Sequence, residues 1–263
     1  MPESVHRTIE KLLASEKPEE IRQGLNLARD EIARVAPSDA RSLFGMISTI
    51  FYIDPLDRPD LVPVLDEAIR LLGGLGKWII PVLLEQLDES DVKAQIAIAH
   101  TLGRIGEEAI EPLMALYEAS TDGSRRAFIL YALGKIKSPM IARAARLALE
   151  AAHSPDVELR DTATRAIGKF AESIPPLQLE EEFRRGFVEA LRKNLADPKH
   201  GIRAKSVRSL GKLAKYGHLT DEERQTFKTT CLLLAGKDET FEWDRAYIVQ
   251  KEAIEALRYV NDA

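Results

Sequence analysis

One short pattern recurs along this chain and constrains its fold more than any other feature. It reads Leu72-Gly73-Gly74-Leu75, Leu102-Gly103-Arg104-Ile105, Leu133-Gly134-Lys135-Ile136, Ile167-Gly168-Lys169-Phe170 and Leu210-Gly211-Lys212-Leu213. A sixth copy, Leu257-Arg258-Tyr259-Val260, lacks the glycine. Counted from glycine to glycine and ending at Arg258, the offsets are 30, 31, 34, 43 and 47 residues, so extra length falls in the later units. A unit of this size cannot bury an apolar face alone and needs a like neighbour stacked on it.

Apolar or small residues three and four apart precede each glycine, as in Ile96, Ala99, Leu102 and Ile105, or Phe128, Leu130, Leu133 and Ile136, which predicts a helix. Two places before the glycine the residue is small in four copies, Thr101, Ala132, Ala166 and Ser209, with Ala256 in the sixth. Glycine inside a helix costs roughly 1 kcal/mol, and a small residue beside it lets a neighbouring helix come close. Further helices are expected between the copies, over Glu108 to Ser120, Pro139 to His153, Gln178 to Leu195 and Thr220 to Ala235. Turn signals separate them at Thr121-Asp122-Gly123, Ser154-Pro155-Asp156, Asp197-Pro198 and Gly236-Lys237-Asp238. Asp122 and Asp156 stand four residues before Arg126 and Arg160, a spacing that suits an ion pair along one helix.

No alternating strand pattern competes, and few aromatics (6%) with many Ala and Leu favour helices over sheet. At 263 residues and 45% apolar content the chain can bury a sizeable core. The prediction is an all-α, right-handed α-solenoid of about six antiparallel helix pairs in a single domain over 1–263. Residues 1–57, helical over Ser4 to Ala14, Pro18 to Val35 and Ser38 to Ile53, are expected to cap the recognisable repeats of 58–263.

An Asp-x-x-x-Arg followed by small and apolar residues and Leu-Gly-x-Ile resembles the HEAT-repeat family, in particular the short HEAT-like repeats of the phycobilisome lyase type. The resemblance implies two antiparallel helices per unit, the second carrying an Arg eight residues before the glycine. Arg126, Arg160 and Arg203 match that place, whereas Gln95 and Gln250 depart from it, so the first and last of these units are expected to be looser in register or in packing. The motif specifies architecture and leaves chemistry open, because function on a repeat scaffold resides in its exposed face.

Family members with chemistry set tests for the sequence. Deoxyhypusine hydroxylase is similar in building a di-iron site from His-Glu pairs, and none of His6, His100, His153, His200 or His218 is followed by Glu. HEAT-like DNA glycosylases pair a basic concave surface with aromatics, whereas here Trp78 and Trp243 are far apart and the net charge is −5. Bilin lyases resemble these repeats most, and no residue is assignable to tetrapyrrole handling. Gly73-Gly74-Leu75-Gly76-Lys77 lacks the Ser or Thr that a phosphate-binding loop places after its lysine, and reads as a helix end and turn. A single cysteine, Cys231, excludes a disulfide framework and fits a small apolar core residue. His100 is expected on the exposed side of its helix. No metal or cofactor is called for, and no enzymatic role, although lyase-type activity stays open.

Charge is distributed unevenly. Residues 1–120 hold 12 basic against 21 acidic residues and residues 121–263 hold 25 against 21, with ten basic residues inside Arg184 to Lys215 alone. With the repeat glycine as zero, positions −3 and +1 share one helix face and read His100 and Arg104, Tyr131 and Lys135, Arg165 and Lys169, Arg208 and Lys212. The resemblance places the second helices along the concave surface, so this ladder should line a basic groove. The expected function is a non-catalytic scaffold or adaptor. Arg104, Lys135, Arg165, Lys169, Arg208 and Lys212 would meet carboxylates of an acidic partner segment, and Tyr131 would add an apolar contact. A solvated face that binds nothing, a nucleic-acid-binding protein and a bilin lyase-like protein are the alternatives. With no secretory leader at its start and no run of 18 apolar residues, the chain is expected to be cytoplasmic, not membrane-bound, and a monomer or a subunit of a larger complex.

Overall fold

The computed structural model describes residues 4–87, 90–237 and 243–261, and every described element is helical. Asp238 of the last predicted turn and residue 262 of the last repeat lie outside the described residues. The chain forms two compact units, residues 1–112 and 113–263.

In the first unit, α1 (Val5–Leu13), α2 (Pro18–Ile32) and α3 (Pro37–Ser48, continued by a 3₁₀ turn over Thr49–Tyr52) fill the expected N-terminal segments. They are followed by α4 (Val62–Gly73), α5 (Ile80–Gln86) and α6 (Val92–Ile105). Helix α2 packs on α4 and α4 on α6, while α1 packs on α3. The N-terminal helices thus follow the alternation of the repeats, with α2 in the place of a second helix. Helix α4 ends at Gly73, and Gly76 turns the chain with φ of 79°, the helix end and turn expected there. On α6, Ala99 and Leu102 are buried as predicted but Ile96 is exposed, the buried face running through Ala94, Ala97 and Ile98 instead.

Helix α7 covers Ile110–Ala119. In the second unit α8 (Gly123–Leu133), α9 (Ala145–Ala152), α10 (Val157–Ser173), α11 (Glu181–Asn194), α12 (His200–Lys215), α13 (Asp221–Leu234), α14 (Tyr247–Ala256) and the short α15 (Arg258–Asn261) follow. The second helices pack in succession, α8 on α10, α10 on α12 and α12 on α14, with α9, α11 and α13 on their other side.

The glycine motif makes these contacts close. A Cβ built on Gly168 would lie 2.5 Å from Ser209 Oγ and 3.0 Å from its Cα; one on Gly211 would lie 3.3 Å from Ala256 Cβ. The small residue two places before one glycine therefore covers the glycine of the preceding repeat. Ser209 Oγ also donates to the Thr164 carbonyl at 2.8 Å, so its buried hydroxyl is satisfied.

The turn aspartates act differently from the ion pairs expected along their own helices. Asp122 and Asp156 are N-caps, accepting from the Arg125 and Leu159 amides at 2.6 and 2.8 Å, each cap contributing about 1 kcal/mol. Two of the three repeat arginines reach forward to the next repeat, whereas Arg126 donates back to the Tyr117 carbonyl at 3.3 Å. Arg160 Nε donates to Asp197 Oδ2 at 2.7 Å, and Arg203 donates to both carboxylate oxygens of Asp244 at 2.6 and 2.8 Å. Each also donates to a carbonyl six residues back, Ser154 or Asp197, at 2.7 and 2.9 Å. Gln250 keeps that carbonyl bond, to Asp244 at 2.7 Å, and Gln95 donates to the Leu87 carbonyl at 3.2 Å. Replacing Arg by Gln thus drops the ion pair and retains the local tie.

Candidate functional site

On α10, Arg165, Lys169 and Glu172 are spaced four and three residues apart and occupy one face. Tyr131 of α8 meets the first of them. Its half-buried ring lies under the Arg165 guanidinium, 5.6 Å from the centroid, and under Lys135 Nζ at 4.5 Å. Leu130, Gly134, Thr162, Ala166 and Lys169 complete an open depression between the two helices. Arg165 is exposed and forms no ion pair among the described residues. A guanidinium attracted to an aromatic face through its charge still has N–H donors to offer a carboxylate.

The next rung is filled from within the molecule. Glu172 receives Lys212 Nζ at 2.6 Å, Lys169 Nζ at 3.0 Å and Lys137 Nζ at 3.1 Å, from three successive repeats. Burial raises its carboxyl pKa, but the lysine hydrogen bonds outweigh it and hold the group at about 2. Lys212 moves down instead, because its burial and the ammonium of Lys169 exceed the pull of Glu172. Arg208 is bonded to both oxygens of the buried Glu252 of α14. Beyond it, a cavity of about 380 Å³ is bordered by Lys251, Glu255 and Tyr259. Lys215 lies 5.2 Å from the Tyr259 ring and 5.4 Å from that of Tyr216.

Of the predicted ladder, the second unit therefore brings Tyr131, Lys135, Arg165 and Lys169 together, while Lys169, Arg208 and Lys212 hold internal carboxylates. Arg104 belongs to the first unit, where it is exposed and lies against Gly73: a Cβ there would be 2.6 Å from Arg104 Cβ. His100 is exposed, as expected. Glu172 and Glu252 escaped the reading by position. Extending the ladder one turn to +4, which gives Glu107, Ser138, Glu172 and Lys215, would have found Glu172. Six of the ten basic residues between Arg184 and Lys215 are paired with acids among the described residues, most of them distant in sequence. Arg184 meets Glu181 and Glu223, Arg185 meets Glu181, and Lys205 meets Asp161.

The remaining reactive side chains are sequestered. Cys231 is fully buried, and burial pushes its thiol up to about 12. His218 is buried with Nε2 3.1 Å from the Ala171 carbonyl, and burial lowers its pKa. Among the described residues no group of three or more His, Cys, Asp or Glu is arranged to hold a metal, and no helix is long and apolar enough to cross a membrane.

These features define an all-α fold of stacked helical repeats. More particularly, residues 62–134 match the family model for HEAT repeats. The complex of CpcE and CpcF of phycocyanin lyase from Nostoc sp. PCC7120 is similar over 68% of this chain and 97% of that one, with 20% identity and a TM-score of 0.53. A designed armadillo repeat protein in complex with the peptide (KR)4 is similar over 98% of this chain and all of that one, with 17% identity and a TM-score of 0.52. Kap95p, solved with RanGDP, gives a TM-score of 0.56 at 15% identity, and this chain spans 35% of its length. None of the curated proteins matches the sequence.

Proposed function

We propose that this protein is a non-catalytic scaffold whose second unit takes an acidic protein segment along the exposed face of its second helices, centred on Arg165. The observation that carries the reading is the guanidinium of Arg165, exposed, placed over the Tyr131 ring and without an internal carboxylate, beside Lys135 and Lys169. Contact with the ring restricts the side chain before any partner arrives, so less entropy is lost when a carboxylate pairs with it. A related architecture, in the designed armadillo protein, carries the peptide (KR)4; here the exposed groups have the opposite sign preference. Nucleic acid is disfavoured because most of the Arg184 to Lys215 cations already hold Asp or Glu. The scaffold is proposed to work in the cytoplasm, as a monomer or within a larger complex.

Fluorescence anisotropy of labelled octaglutamate tests the reading. Arg165→Glu should weaken binding at least about tenfold, roughly 1.4 kcal/mol, with helicity and melting unchanged. Equal binding by wild type and variant would overturn it.

A further inference from the structure

Three ammonium groups converge on one carboxylate between α8, α10 and α12. Lys137, Lys169 and Lys212 come from successive repeats, and Glu172 supplies a single negative charge. The cluster keeps a surplus of two positive charges. Glu172 and Lys212 are the shielded members, with side chains 15% and 18% exposed, whereas Lys137 is 65% exposed and open to a second anion. Lys169 belongs to two places at once: it bonds Glu172 at 3.0 and 3.3 Å and borders the Tyr131 depression. The depression and the lysine cluster are therefore continuous.

We propose that Lys137, Lys169 and Lys212 form an anion subsite next to Arg165 and that Glu172 is its internal occupant, displaced when a carboxylate side chain of the acidic partner enters. This rests on the acidic-segment reading given above. Lys137 is largely solvated, so its pairing with Glu172 contributes little to tying the helices together. The same exposure lets it hold an incoming carboxylate while Glu172 leaves. Glu172 carries no positive group to a partner; it sets affinity by competing, so an isolated acidic side chain is rejected and a segment that also engages Arg165 is admitted.

The test is octaglutamate binding by wild type, Glu172→Gln, Lys137→Met and Arg165→Glu, with circular dichroism and melting measured on each. Glu172→Gln should bind about fivefold more tightly and Lys137→Met severalfold more weakly. Unchanged or weaker binding by Glu172→Gln that is still folded, with Arg165→Glu impaired, would overturn the internal-occupant proposal and leave the acidic-segment reading standing. If Glu172→Gln does not fold, Lys137→Met decides, since its side chain is largely solvated: binding equal to wild type excludes Lys137 from the subsite. Wild-type binding by Arg165→Glu would instead defeat the underlying reading.

Discussion

Arg165 and Glu172 stand two helical turns apart on one face of α10, and their opposite situations show how a side chain's neighbours, more than its type, decide what it can do. Arg165 faces a ring; Glu172 faces three lysines. The sequence identifies Arg165 and Lys169 as members of a periodic row, since both are local to one helix. It does not disclose that Lys212 and Arg208 are already satisfied, because their partners lie 40 and 44 residues away in either direction. Buried His218 gives a residue-scale prediction. Its folded-state pKa lies below the ordinary 6.5, so as pH falls the unfolded chain takes up a proton before the folded one does. Stability present at neutral pH should therefore decline as pH drops through about 6.5 towards the lowered value. Urea unfolding midpoints measured between about pH 7.5 and 5.5 should fall in wild type and fall less in His218→Gln; identical slopes would remove His218 from the account.

At the scale of elements, the motif glycines and the turns that hold Asp122 and Asp156 are legible because chain reversals and close approaches are local requirements. Asp122 and Asp156 illustrate the limit. Four residues before an arginine, an aspartate satisfies both the spacing of an ion pair and that of an N-cap, and the open amides of the first turn take it. The arginine then finds the aspartate of the following unit, as Arg160 finds Asp197, a contact with no fixed sequence separation because unit lengths vary. Close helix contact yields a paired prediction. Gly168→Ala would press on Ser209, including its Cα at 3.0 Å, and should destabilise by about 1–3 kcal/mol. Gly201→Ala on α12 meets nothing within 4 Å and should stabilise by roughly 0.5–1 kcal/mol. Urea unfolding of both variants checks this, and equal effects would mean that α10 and α12 are not in the contact described.

For the whole molecule, the repeat period and the all-α composition made the fold readable before any geometry. The alternation of second helices extends to α2, which carries no copy of the Leu-Gly motif and so could be assigned only to a cap. Charge was the harder quantity, since its balance along the sequence overstates what is exposed once distant acids are paired. Arg165, which forms no ion pair among the described residues, lies over Tyr131 in the depression that Lys169 borders. The most direct measurement is carbodiimide cross-linking of octaglutamate to the full chain, with modified lysines located by mass spectrometry. The account predicts modification concentrated at Lys135, Lys137 and Lys169, lost on addition of salt as exposed charge contacts are screened. Modification centred on Lys193 and Lys199, or spread evenly over both units, would contradict it.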